Sequence, residues 1–224
     1  ASRPVDLHSP HANWAEEDPA QWWENVGEIT RDLLRTAALA PDSVAGVGVT
    51  GMLPALILLD AAGHPVRRSI QQNDARAIEE LHAFAARRPE AEFVGLTATG
   101  YSQQLIGPKL AWIARHEPDA HARAKALVGA SDFITHKLTG SLQVEHNWAL
   151  ESGFVNLDTG AYDPDLIAQA GIDARLLQPI RRSEEVVGAV TAEGSNHTGL
   201  AAGTPVVAGC ADPVASAFGC GASR

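Results

Sequence analysis

Apolar residues recur along this chain at two periods, and the alternation between them predicts an α/β protein. Asp18-Pro19 pairs a carboxylate able to cap free N–H groups with a proline suited to the first helical turn. Behind it Trp22, Val26, Ile29, Leu33 and Ala37 share one helical face, expected to pack on a sheet. Val44-Ala-Gly-Val-Gly-Val-Thr50 reads as a buried strand, and residues 56–60, the turn Ala61-Ala-Gly63 and the return Pro65-Val66 read as a hairpin. Asp74 is expected to open a second helix running to about Arg88. After a turn-rich stretch between Gly95 and Gly107, residues 108–115 read as a helix and Pro118 starts another. Ser131-Asp132 is expected to cap a further short helix, closed at Leu138-Thr-Gly140. A stretch with few signals follows. Residues 164–170 then read as a helix stopped by Gly171, 186–191 as a strand, and 205–209 as a second strand leading to Asp212. No repeat or long linker divides the pattern, so one incomplete domain is expected.

Composition narrows the function classes. The 224 residues are 45% hydrophobic and 20% charged, enough for a packed core. The apolar run at 55–59 stops at Asp60, far short of the roughly 18 residues a membrane span needs. Ala1-Ser-Arg-Pro4 carries no apolar signal core, so a cytoplasmic chain that starts inside a longer protein is expected. The net charge of −10 and the isolated pairs Arg67-Arg68, Arg87-Arg88 and Arg181-Arg182 give no basic patch for nucleic acid, leaving a small molecule as the expected partner. Cys210 and Cys220 form no Cys-x-x-Cys pair and are expected to be reduced, small and buried.

Four clusters invite a chemical reading. Gly46-Val-Gly48-Val-Thr-Gly51 fits the dinucleotide pattern G-x-G-x-x-G, but its glycines lie inside the strand and Met52-Leu-Pro-Ala follows where a helix should, so no such site is expected. Asn73-Asp74-Ala75-Arg76 sets an amide, a carboxylate and a guanidinium within four residues, suited to gripping hydroxyls. Asp74 could equally cap its helix, with Arg76 in solvent. Asp212 would project from a strand end, where open α/β sheets meet their ligands, or with Pro213 behind it could simply cap a helix. His8-Ser-Pro-His11 lacks a further ligand and no metal site is expected there; His116 and His146 stand alone without a nucleophile elbow. Local chemistry leaves the Asp74 and Asp212 alternatives open.

A resemblance decides between them. Trp14-Ala-Glu-Glu-Asp-Pro-Ala-Gln-Trp22-Trp23, the run from Gly63 through Asn73-Asp74-Ala-Arg76, and the run from Thr198 through Gly203 to Asp212 resemble, in order, the FGGY carbohydrate kinases. Pro108-Lys109-Leu-Ala-Trp112 with His116-Glu-Pro118, and Ser131-Asp132 with Lys137-Leu-Thr-Gly140, are similar to the family at the same order and spacing. The likeness runs from about residue 13 to 221 and places the whole chain, 1–224, in the N-terminal domain. It implies an actin-like, ribonuclease-H-type fold incomplete at both ends, and transfer of a phosphoryl group from ATP, with Mg2+, to a sugar or polyol hydroxyl. It implies Asp212 as the catalytic base, with Asn73, Asp74, Arg76 and the segment Met52, Leu53, Pro54 beside the sugar. A homodimer is compatible with it. Xylulose kinases usually carry Gly-Gln-Met-His-Gly where this chain has Gly51-Met-Leu-Pro-Ala55, Gln72 replaces an aromatic residue, and Pro213 an asparagine, which points to a pentulose other than xylulose, a tetritol or another polyol. No Asp-x-Gly-Thr phosphate segment precedes Ala1 and no adenosine-binding domain follows Arg224, so the chain by itself is expected to be inactive and to bind ATP poorly. A non-catalytic sugar-binding or regulatory module is the alternative.

Overall fold

The computed structural model describes residues 1–222. Its centre is the strand Ile57–Leu59, which with Leu56 is wholly buried. A run of four large apolar residues can only be satisfied inside, and each contributes about 1.5–3 kcal/mol on burial. Ala126–Val128 pairs with this strand on one side, antiparallel. On the other lies the predicted return, with Leu59 opposite Pro65 and Leu56 opposite Ile70. The turn is held by the Asp60 carboxylate, which accepts from the backbone of Ala62 at 2.8 Å and His64 at 2.9 Å. Ser69–Ile70 continues outward to Glu16–Glu17.

A second ladder runs from Val186–Ala189, antiparallel to Pro205–Val207, onto Val47 and Thr50–Gly51, which run parallel to Val206 and Cys210–Ala211. The expected buried strand over 44–50 is only half-buried. Val47 and Val49 face the core while Gly46, Gly48 and Thr50 are exposed, so one face alone is covered within this chain. Gly209 sits at φ +88°, where an added Cβ would lie 2.0 Å from the Val49 carbonyl oxygen. Only glycine lets the two strands meet there.

Helices enclose both ladders. Pro19–Thr36 starts as predicted, the Asp18 carboxylate accepting from Ala20 N at 2.9 Å. Its most buried residues are Trp23 and Gly27; of the expected Trp22-to-Ala37 stripe, Trp22 and Val26 pack partly against the core while Leu33 and Ala37 are exposed, and the helix rests mainly on the helices Ala192–Thr198 and Ala130–Thr139 where a sheet was expected. His197 of the helix Ala192–Thr198 stacks on Trp23 with ring centroids 4.2 Å apart. Ile106–His116, Pro118–Arg123, Ala130–Thr139 and Pro164–Ala170 form where expected. The second helix begins at Ile78, four residues after Asp74, and ends at Ala85. In the stretch without signals the chain builds Val144–Glu145, the helix His146–Glu151 and the hairpin of Val155–Asn156 with Ala161–Tyr162. Cys210 is half-buried and Cys220 exposed, against the expectation of two buried residues; both thiols are free. No described helix is long and apolar enough to cross a membrane.

Candidate functional site

Two parallel strand ends define one edge of the fold. Thr50–Gly51 lies in register with Cys210–Ala211, so Met52 and Asp212 leave the sheet side by side. Asp212 is the first residue of the helix Asp212–Gly219, with Pro213 next; Ala211 holds the cap position and no side chain caps this start. The carboxylate is therefore exposed and is not spent as a cap. Gly51 lets the helix Ala130–Thr139 approach closely, since an added Cβ would lie 3.0 Å from Ser131 N.

From there the chain crosses to the central strand. Met52 is exposed, Leu53 half-buried against the core and Pro54 buried, with a cis bond between the last two. The Trp148 indole fixes the end of this crossing by donating to the Ala55 carbonyl at 2.9 Å. Leu56 pairs antiparallel with Ile70; beyond Ile70 the chain turns, Asp74 N donating to the Gln71 carbonyl at 3.2 Å, and Asn73 is exposed in that turn. Three Cα steps separate Met52 from Ala55, at most about 11 Å. Asn73 is thus exposed in the turn three residues beyond the Leu56–Ile70 pair, while Met52 and Asp212 leave the same sheet edge.

Asp74 and Arg76 do not open to it. Asp74 is 1% exposed, and its carboxylate accepts from Ala15 N at 2.6 Å, Arg76 N at 3.0 Å, and the Arg76 guanidinium at 2.9 and 2.7 Å. The Arg76 side chain is wholly buried, its Nη1 2.7 Å from Glu16 Oε1 and its plane 3.8 Å over the Trp14 ring. Neither a helix cap nor a solvated arginine forms, because the loop around Trp14 closes over both groups. Arg67 joins the cluster through Glu16 and Glu117, the latter at 2.7 Å. Lys109, in the next layer, donates to the Gln71 carbonyl at 2.7 Å, and burial, opposed by Asp74 and assisted by Arg76, lowers its amine to about 8.

Two further acids are buried behind the Asp212 strand. Asp132, expected as a cap, is the third residue of its helix and reaches back to Gly129 N at 2.9 Å and across to Glu145 N at 2.9 Å. Burial first, then the Glu145 charge, raises it to about 7 against those two bonds. Glu145 was unmarked in the sequence. Its carboxylate accepts from Asn147 N at 2.9 Å and Trp148 N at 3.3 Å, starting the helix His146–Glu151, and from Ser183 Oγ at 2.7 Å. The Ser183 carbonyl in turn receives Gly209 N at 3.2 Å, and the helix packs on Cys210–Ala211. The only signal was Glu145 two residues ahead of an amide that it could cap. A cavity of about 240 Å³ lined by His146, Asn147, Arg182, Ser183 and Glu184 opens on this side. A cavity of about 410 Å³ between Ile78–Ala85 and Ile106–His116 contains none of the candidate residues. No three His, Cys, Asp or Glu side chains converge as metal ligands among the described residues.

The sequence model of the N-terminal domain of the FGGY family of carbohydrate kinases matches residues 1–219. The L-xylulose/3-keto-L-gulonate kinase of Escherichia coli strain K12 is 32% identical over 221 residues, covering 96% of this chain and 44% of that protein. The xylulose kinase of Streptomyces rubiginosus is 32% identical over 207 residues, covering 92% and 42%. The crystal structure of xylulose kinase from Rhodospirillum rubrum superposes with a TM-score of 0.93 at 44% identity, covering 99% of this chain and 46% of that one. The chain spans less than half the length of these relatives, and its α/β fold is that of the actin-like sugar kinases.

Proposed function

This chain belongs to the FGGY family of carbohydrate kinases, and from that premise we propose that it forms the sugar-facing part of an ATP-dependent kinase whose acceptor is a small sugar or polyol, pentulose-like in size. One observation carries the reading: the uncapped, exposed carboxylate of Asp212 at the carboxyl end of two parallel strands. Asp212 would take the proton of the acceptor hydroxyl as its oxygen attacks the γ-phosphorus; the new O–P bond forms, the bond to the β–γ bridging oxygen breaks, and ADP leaves. ATP with Mg2+ would supply the phosphoryl group and neutralise its charge in transfer. The side chains of this chain act on the acceptor: Met52 and Leu53 provide an apolar wall over Pro54, Asn73 offers an amide to a hydroxyl, and Asp74 with Arg76 holds Asn73 from behind. A wall without donors discriminates weakly for a hydroxyl facing it, so the acceptor's selectivity rests on the other side of the site.

The test is turnover by the full-length gene product on pentuloses, pentitols, tetritols and glycerol with ATP and Mg2+, beside an Asp212→Asn variant. Turnover on one acceptor class that falls by orders of magnitude in the variant is expected. The apolar Met52-Leu-Pro54 segment favours a second reading, a sugar-binding module without chemistry. Sugar binding with no turnover on any acceptor would establish that one instead.

A further inference from the structure

Lys109 lies in the Pro108-Lys-Leu-Ala-Trp112 stretch and takes no part in the proposed chemistry. It is 0% exposed in the middle of the helix Ile106–His116, between Ile106, Leu110 and Ile113, which are 0%, 2% and 0% exposed. Those neighbours fix its backbone by packing. Its charge is costly there, since a buried ammonium loses its hydration and a methionine would fill the space without that loss. Packing alone therefore does not account for the amine. Its one hydrogen bond ends on the Gln71 carbonyl, two residues before Asn73. On the far side of Asn73, Asp74 is clamped by Arg76 and by Ala15 N. The segment is thus held at both ends, and exposed Asn73 is the point between the clamps. The cluster is also balanced in charge: Arg67, Arg76 and Lys109 face Glu16, Asp74 and Glu117.

We propose that Lys109 is a positioning residue which, by tying the Gln71 carbonyl to a packed helix, sets where Asn73 meets the acceptor sugar and thereby the acceptor's affinity. The inference rests on the kinase reading above. The clamp is sensitive to pH, because the amine is neutral above about 8 and then binds the carbonyl less strongly. Asp74 and Arg76 are the charges acting on it. On the neighbouring helices Glu80 is engaged by Arg115 and His116, while Asp119 and Asp165 are exposed.

The experiment is steady-state kinetics of the full-length gene product, wild type against Lys109→Met and Asn73→Ala, from pH 6.5 to 9.5. Each variant is expected to raise the acceptor KM about tenfold, the worth of one lost hydrogen bond, with ATP KM and kcat within about twofold. The wild-type acceptor KM should rise above pH 8 and the rise should be absent from Lys109→Met. A residue that mattered only for folding would lower the active fraction and leave acceptor KM and its pH profile as they were. An inactive wild type would remove the kinase reading itself. An active wild type with no rise above pH 8, or an unchanged acceptor KM in Asn73→Ala, would remove the positioning role alone, even if Lys109→Met did not fold.

Discussion

At the scale of single residues, the side chains divide into those open to a ligand and those spent on other groups. Asp212 is exposed and caps nothing, so Asp212→Asn should change stability by no more than about 0.5 kcal/mol in urea unfolding while abolishing turnover. That pairing separates chemistry from folding. Asp132 is the opposite case. Its carboxyl titrates near 7 in the folded protein and near 3.8 in the unfolded chain, so between those values the native state holds a proton that the unfolded state has lost. Stability from this group is complete below pH 4 and is lost as the pH rises to 7, at up to about 1.4 kcal/mol per unit. Unfolding free energies measured at pH 5 and 7.5 should show this fall in the wild type, and the difference should shrink in Asp132→Asn. The residue types at 73–76 and 212 were legible as chemistry. What was not legible was that Asp74 and Arg76 bond to each other, because that depends on a loop from Trp14 closing over them.

Elements were legible where their signals are local. Asp18-Pro19 starts a helix and Gly171 ends one because a cap bond or a fixed φ acts within a few residues. The face a helix buries is set by its neighbour, and there the pattern misled. Gly27 faces His197, and an added Cβ would lie 2.6 Å from its Nε2 and 2.9 Å from its carbonyl oxygen. Gly→Ala inside a helix ordinarily stabilises by about 1 kcal/mol. Here Gly27→Ala should instead destabilise by about 1–3 kcal/mol through overpacking, read as a lower midpoint in thermal or urea unfolding. An increase would show that the two helices are free to separate. The short strand and helix over 144–151 carry no local pattern for a related reason: a two-residue strand has no period, and its helix begins with a glutamate cap that the sequence does not distinguish from any surface acid.

Over the whole molecule, segments distant in sequence are joined by a few buried polar ties, and these carry the largest expected losses. Arg76→Met would leave Asp74 and Glu16 buried without their shared cation, and breaking a buried pair in this way costs about 3–5 kcal/mol. A marginally stable domain has little more than that, so the variant should be largely unfolded or insoluble at 37 °C by circular dichroism. A near-native melt would mean that water reaches the cluster. By itself the sequence determined the helices Pro19–Thr36, Ile106–His116, Pro118–Arg123, Ala130–Thr139 and Pro164–Ala170, the hairpin over 56–66 and the types of residue available for chemistry, because these follow from interactions within a turn or two of the chain. Only the tertiary structure decided that Gly51 pairs beside Ala211, that Glu16, Asp74 and Arg76 meet in one buried cluster, and that Lys109 reaches the Gln71 carbonyl beside it. Pairing register and burial depend on which distant surfaces exclude water together, and no local period records that.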